Sequence, residues 1–88
     1  MAKKEEKQVK QIKNIEEDFN VNLLKVAEKF KELRIKAGHT SHETFAYENE
    51  INRVQYWRVE KGSNITLTTF FKLLKIHKIT AKEFFKDF

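Results

Sequence analysis

An all-α fold is what this sequence predicts, on three observations. Proline is absent and glycine occurs only twice in 88 residues, so few points interrupt a helix and connections are short. Apolar residues recur at three- and four-residue spacing from Leu23 to Ala37, the period of one helix face. Ser41, Asn52, Thr66 and Thr80 each stand just ahead of a helical stretch, as side chains that cap a first turn. These four starts together with the Leu23–Ala37 stripe predict five core helices, with an extra helical segment before them.

Residues 1–20 are rich in Lys and Glu, with Val9, Ile12, Ile15 and Phe19 on one narrow apolar stripe. Such a helix is marginal alone in water. The segment is expected to be frayed, or docked on its own domain or on a second subunit. Asp18, Asn20 and Asn22 mark a break. The chain therefore divides into a charged N-terminal extension, 1–20, and a domain over 21–88. The first core helix carries Leu23, Val26, Ala27, Phe30, Leu33 and Ala37 on one stripe; Gly38 ends it, with Lys36 in the last turn.

The stretch from Ser41 to Gly62 reads as two short helices about a tight corner. Ser41 caps the first, and Phe45 and Ala46 face inward, Ala46 being small where a second helix crosses closely. Glu50 falls at the corner, followed by Ile51. Asn52 caps a second helix from Arg53 to Lys61, which Gly62 ends. On it Tyr56, Val59 and Glu60 share one side, and Val54, Trp57, Arg58 and Lys61 the other. An outward face of one Val, one Trp and two cations suits a groove lined by phosphates better than bulk solvent.

Downstream, Ser63 and Asn64 make a loop, Thr66 caps a helix from Leu67 to about Ile76, and His77-Lys78 breaks it. Thr80-Ala81-Lys82-Glu83 is a capping box opening a last helix, Ala81 to Asp87. Phe84, Phe85 and Phe88 are more aromatic surface than so short a helix hides. They are expected to supply core and a dimer contact, with the N-terminal stripe as the rival contact.

Composition narrows the function classes. The length suits one domain with a modest core, and 40% apolar residues including eight Phe make that core Phe-rich. Without Cys there is neither a disulfide framework nor a cysteine zinc site. The start MAKKEEKQVK has no apolar run, and no stretch is long enough to cross a bilayer; a cytoplasmic protein without membrane contact is expected. Residues 1–20 hold five Lys and five acids, so residues 21–88 carry the whole +5. A basic folded part favours an anionic partner. Nothing converges on catalysis: His39, His42 and His77 lack metal-binding spacing, Glu48 and Glu50 sit at a surface turn, and no glycine-rich loop cradles a nucleotide. Neither enzyme activity nor any cofactor or metal is expected. Arg34, late in the first core helix, and Glu60, inward on the third, form an expected structural ion pair, because a buried Glu60 needs a cation.

The pattern of Ala46, Ile51, Asn52, Tyr56, Val59, Glu60 and Gly62 resembles the lambda-repressor/Cro-like (XRE-type) helix-turn-helix domains. Leu33 to Gly38 is similar to the end of that family's first helix. Ile65, Thr66, Leu67 and Phe70 resemble the start of its fourth. The resemblance covers about residues 23–88. It departs at Glu50, where the family usually has Gly, and at His42, where it often has Gln. The resemblance implies a five-helix domain whose Arg34–Glu60 pair ties the first helix to the third. It also implies a sequence-specific DNA-binding regulator, a repressor, acting as a homodimer on double-stranded DNA with the helix 52–61 in the major groove. Base-reading residues are then Arg53, Val54, Gln55 and Arg58. Backbone contacts fall to His42, the backbone at Glu43, Trp57, Lys61, Ser63 and Asn64. The alternative is a protein-interaction module, such as the antitoxin half of a toxin–antitoxin pair, with a protein partner gripped by the aromatic C-terminus or the N-terminal stripe.

Overall fold

Helix ends decide how this chain turns. The computed structural model describes the backbone of residues 2–88 and the side chains of residues 19–88; Val9, Ile12 and Ile15 lie outside the described side chains. Five helices follow one another: α1 (Ala2–Lys36), α2 (His42–Glu48), α3 (Arg53–Glu60), α4 (Leu67–His77) and α5 (Ala81–Phe84). The break expected at Asp18–Asn22 is absent, and the boundary at residue 20 falls inside α1. Asn and Asp lower helix propensity by about 0.7 kcal/mol each at most, and without Gly or Pro beside them they do not end a helix.

The N-caps are those expected. Ser41 Oγ accepts from the Thr44 N–H at 3.1 Å, Asn52 Oδ1 from Gln55 at 3.0 Å and Thr66 Oγ1 from Thr69 at 3.1 Å. Thr80 and Glu83 close a reciprocal capping box. The C-termini of α1 to α4 share one further device. A residue at positive φ stands just past each helix: Gly38 (92°), Glu50 (56°), Gly62 (85°) and Lys78 (57°). The next N–H then reaches back to a carbonyl of the last turn, from His39 to Arg34, Ile51 to Ala46, Ser63 to Arg58 and Ile79 to Leu74, at 2.8–3.2 Å. This is the Schellman closure. At Gly62 a second constraint acts, since a Cβ there would stand 2.8 Å from Leu24 Cδ2 on α1.

At seven and eight residues, α2 and α3 are too short to persist alone; packing holds them. The core strings together one aromatic ring from each helix. Tyr56 (α3) lies 4.7 Å from Phe45 (α2), which stacks at 5.2 Å and 5° on His77 (α4). His77 faces Phe30 (α1) at 6.4 Å, and Phe30 meets Phe84 (α5) at 4.8 Å. Phe30, Phe45, Tyr56 and Phe84 are completely or almost completely buried, and Ala46 lets α3 close on α2. Burial of each large side chain contributes about 1.5–3 kcal/mol.

Three expectations are corrected here. Ala37 is exposed beyond the end of α1. The last helix stops at Phe84, not Asp87, and residues 85–88 continue in three-residue turns closed by Lys86 N–H to Glu83 O and Phe88 N–H to Phe85 O. Phe84 is core and cannot be a dimer contact, because its ring is enclosed by Phe30, Phe70 and Phe85. Phe85 and Phe88 remain 42% and 40% exposed. Among the described residues no helix is long and apolar enough to cross a membrane.

A left-handed conformation costs an L-residue with a Cβ about 1–2 kcal/mol, and glycine's extra chain entropy returns part of that. Glu50→Gly and Lys78→Gly should therefore each stabilise the fold by about 0.5–1 kcal/mol in urea unfolding. A loss of stability in both would show that the two side chains contribute contacts worth more than the relieved strain.

Burial, with His39 nearby, lowers the affinity of His77 for a proton below the ordinary imidazole value of 6.5. The unfolded chain binds that proton first, so His77 contributes stability that is full above pH 6.5 and is lost as pH falls below it. The melting temperature should drop from pH 6.5 toward pH 5, and the drop should flatten in His77→Phe.

Candidate nucleic-acid interface

The geometry of α3 is set at its C-terminal end by one side chain of α1. Arg34 is buried, and each nitrogen of its guanidinium donates a hydrogen bond: Nε to Glu60 Oε2 at 2.7 Å, Nη2 to Oε1 at 3.1 Å and Nη1 to the His39 carbonyl at 2.8 Å. The fork grips the carboxylate on both oxygens, the geometry for which guanidinium is suited. Glu60 ends α3, where the helix dipole disfavours an anion; Arg34 supplies the compensating charge. The Glu60 hydrogen bond in turn holds the Arg34 proton still more firmly than usual. Tyr56 is buried beside this pair, and burial together with the Glu60 carboxylate pushes its phenol well above the ordinary range. Its hydroxyl has no hydrogen-bond partner among the described residues.

With Tyr56 and Val59 buried and Glu60 clamped, the rotation of α3 is settled, and the opposite stripe faces outward. Val54, Trp57, Arg58 and Lys61 are all exposed. The Lys61 ammonium lies 5.5 Å from the centre of the Trp57 ring, a cation–π contact. Arg53 and Gln55 stand on the two flanks instead. Arg53 Nη1 is 3.9 Å from Glu43 Oε2 on α2, both well exposed, a pair of little energetic weight. Gln55 Nε2 donates to Thr69 Oγ1 on α4 at 3.5 Å. The six residues of the outward and flanking set are thus brought together on one side of the domain, with Val54, Arg58 and Lys61 at its centre.

Backbone candidates are more scattered. His42 is half-buried at the start of α2, and with Glu43, Arg53, Val54 and Trp57 it lines a hollow of about 310 Å³ between α2 and α3. Ser63 and Asn64 are exposed in the loop after α3. Asn64 borders a second hollow, about 190 Å³, with Gln55, Arg58 and Thr66 at the start of α4. Two features of this side were not read from the sequence. Tyr47 on α2 is 86% exposed and borders Glu43, Thr44, Ile51 and Arg53; its place off the Phe45–Ala46 side of a helical wheel is the signal that would have found it. Thr69 of α4 meets Gln55 only through the angle at which the two helices are packed, and carries no signal in sequence. Among the described residues no group of acids and histidines is placed to hold a metal ion.

Comparison with protein-family models, with curated proteins and with solved structures finds no match for this chain.

Truncating either partner of the Arg34–Glu60 pair strands the other charge in a largely buried site. Arg34→Ala and Glu60→Ala should each lower the unfolding free energy by about 3–5 kcal/mol. The double variant Arg34→Met with Glu60→Leu should lose far less than the two single losses combined. Additive losses would mean that the two charges do not stabilise each other.

Proposed function

We propose that this chain is a sequence-specific DNA-binding transcriptional regulator of the lambda-repressor/Cro-like type, acting as a repressor in the cytoplasm on double-stranded DNA. In this reading α3 enters the major groove and α2 lies across the sugar–phosphate backbone above it. The observation that carries the reading is the split of α3 into two unlike faces. One is anchored by Tyr56, Val59 and the Arg34–Glu60 clamp; the other presents Val54, Trp57, Arg58 and Lys61 to solvent. Cations in that position attract phosphates, and Arg58 reaches base edges, where a guanidinium suits guanine. Arg53 reads from the α2 flank and Gln55 from the α4 flank, while His42, Ser63 and Asn64 face the backbone. One eight-residue helix reads only a few base pairs, so two copies on related half-sites about 34 Å apart supply the specificity.

A second reading, a protein-interaction module of the antitoxin kind, draws on the aromatic surface of Phe71, Phe85 and Phe88, which stays exposed at the end of the domain.

The two classes of contact separate by experiment. On a duplex recovered from a randomised pool, Arg58→Ala should cost about 1–3 kcal/mol and relax preference at one base position. Lys61→Ala should weaken recovered and scrambled duplexes alike and lower the salt slope by about one. Equal losses on both duplexes for Arg58→Ala would reduce the function to nonspecific binding. No duplex binding at all would favour the protein-interaction module.

A further inference from the structure

We infer that Val54 and Trp57 together form an apolar reader of thymine methyl groups, an inference that rests on the DNA-binding reading above. Both side chains are large, apolar and half open to solvent, at 50% and 45%. They stand three residues apart on the outward stripe of α3, among Arg53, Arg58 and Lys61. His42 and Glu43 stand at the α2 edge, where Glu43 lies 3.9 Å from Arg53, and Gln55 on the α4 flank, so the cations outnumber the one acid. The surrounding cations select a polyanion as the occupant, and within a polyanion the apolar pair needs an apolar complement.

Base edges in the major groove are donors and acceptors, with one exception, the C5-methyl of thymine. Val54 and Trp57 differ by about 4.5 Å along the helix axis, a spacing of the same order as the roughly 3.4 Å between successive base pairs. With α3 running along the groove, as in the DNA-binding reading, the two side chains meet neighbouring bases. Lys61 fixes which surface the indole presents. Its ammonium rests 5.5 Å from the ring centre over one face, and the ring is still 45% exposed, so the open part of the indole is left to meet a base edge while Lys61 holds a phosphate. Trp57 is thereby moved from the backbone-contacting set into the base-reading set, and the target acquires a composition: adjacent base pairs that each offer a methyl.

The test uses the full chain and a duplex recovered from a randomised pool. Each thymine in that duplex is replaced singly by deoxyuridine, which removes the methyl and nothing else. At two adjacent base pairs the dissociation constant should rise about three- to tenfold, the worth of one buried methyl, and elsewhere it should not change. Val54→Ala should abolish the penalty at one of these positions and Trp57→Ala at the other. Recovered duplexes without thymine at any fixed position, or uniform tolerance of deoxyuridine, would overturn the inference while leaving DNA reading intact. So would alanine variants that keep full methyl discrimination, which would assign the methyl contacts to other side chains. A failure to recover any preferred duplex would remove the DNA-binding reading and this inference with it.

Discussion

The Arg34–Glu60 clamp is the constraint on which the outward half of this molecule depends. A helix of eight residues has no stability of its own to defend a particular rotation. What holds α3 is two buried side chains, Tyr56 and Val59, and a carboxylate gripped on both oxygens at its end. The same guanidinium also binds the His39 carbonyl, so the exit of α1 and the end of α3 are fastened by a single residue. Once that is in place, Val54, Trp57, Arg58 and Lys61 have nowhere to point but outward. The presentation of the candidate interface is therefore a consequence of a polar contact on the far side of the helix.

The apolar core plays a complementary part. Tyr56, Phe45, His77, Phe30 and Phe84 form a continuous run of rings that takes one member from every helix. Such a run makes the short helices mutually dependent, since displacing an inner member removes a neighbour from two others and displacing an end member removes one. It also explains the placement of a titratable ring inside the core. His77 occupies a slot between two Phe faces, where flatness matters more than polarity, and its Nε2 has no hydrogen-bond partner among the described residues. The neutral ring is the form this slot accepts.

The helix ends show where local and global demands collide. Four connections adopt the same left-handed closure, yet only Gly38 and Gly62 are residues for which that conformation carries no steric cost. At Gly62 the absence of a side chain also lets Leu24 approach. Glu50 and Lys78 take up the same conformation because the returning N–H of Ile51 and of Ile79 must be satisfied and both Ile side chains pack on the core. Apolar anchoring on the far side of the turn outweighs the local preference.

Much of this was already written in the linear pattern. Capping side chains at Ser41, Asn52, Thr66 and Thr80, the 3.6-residue stripe of α1 and the inward pairs Phe45–Ala46 and Tyr56–Val59 are all local or periodic features: the caps follow from the backbone's own hydrogen-bonding needs and the apolar sets from burial at the helical period. The Arg34–Glu60 pair was legible for a similar reason, because a charge on an apolar face requires a partner. By contrast, the fate of Phe84, Phe85 and Phe88 was decided by tertiary packing: three similar rings in one segment differ only in which of them meets Phe30 and Phe70. The missing break near Asp18 belongs with them, since weak propensities yield to helix continuity when no residue forbids it. The flank positions of Arg53 and Gln55 also came only from structure, because Glu43 and Thr69 reach them across helix crossings. Periodicity assigns a residue to a side of its own helix; which neighbour stands on that side depends on crossing angles set by the whole core.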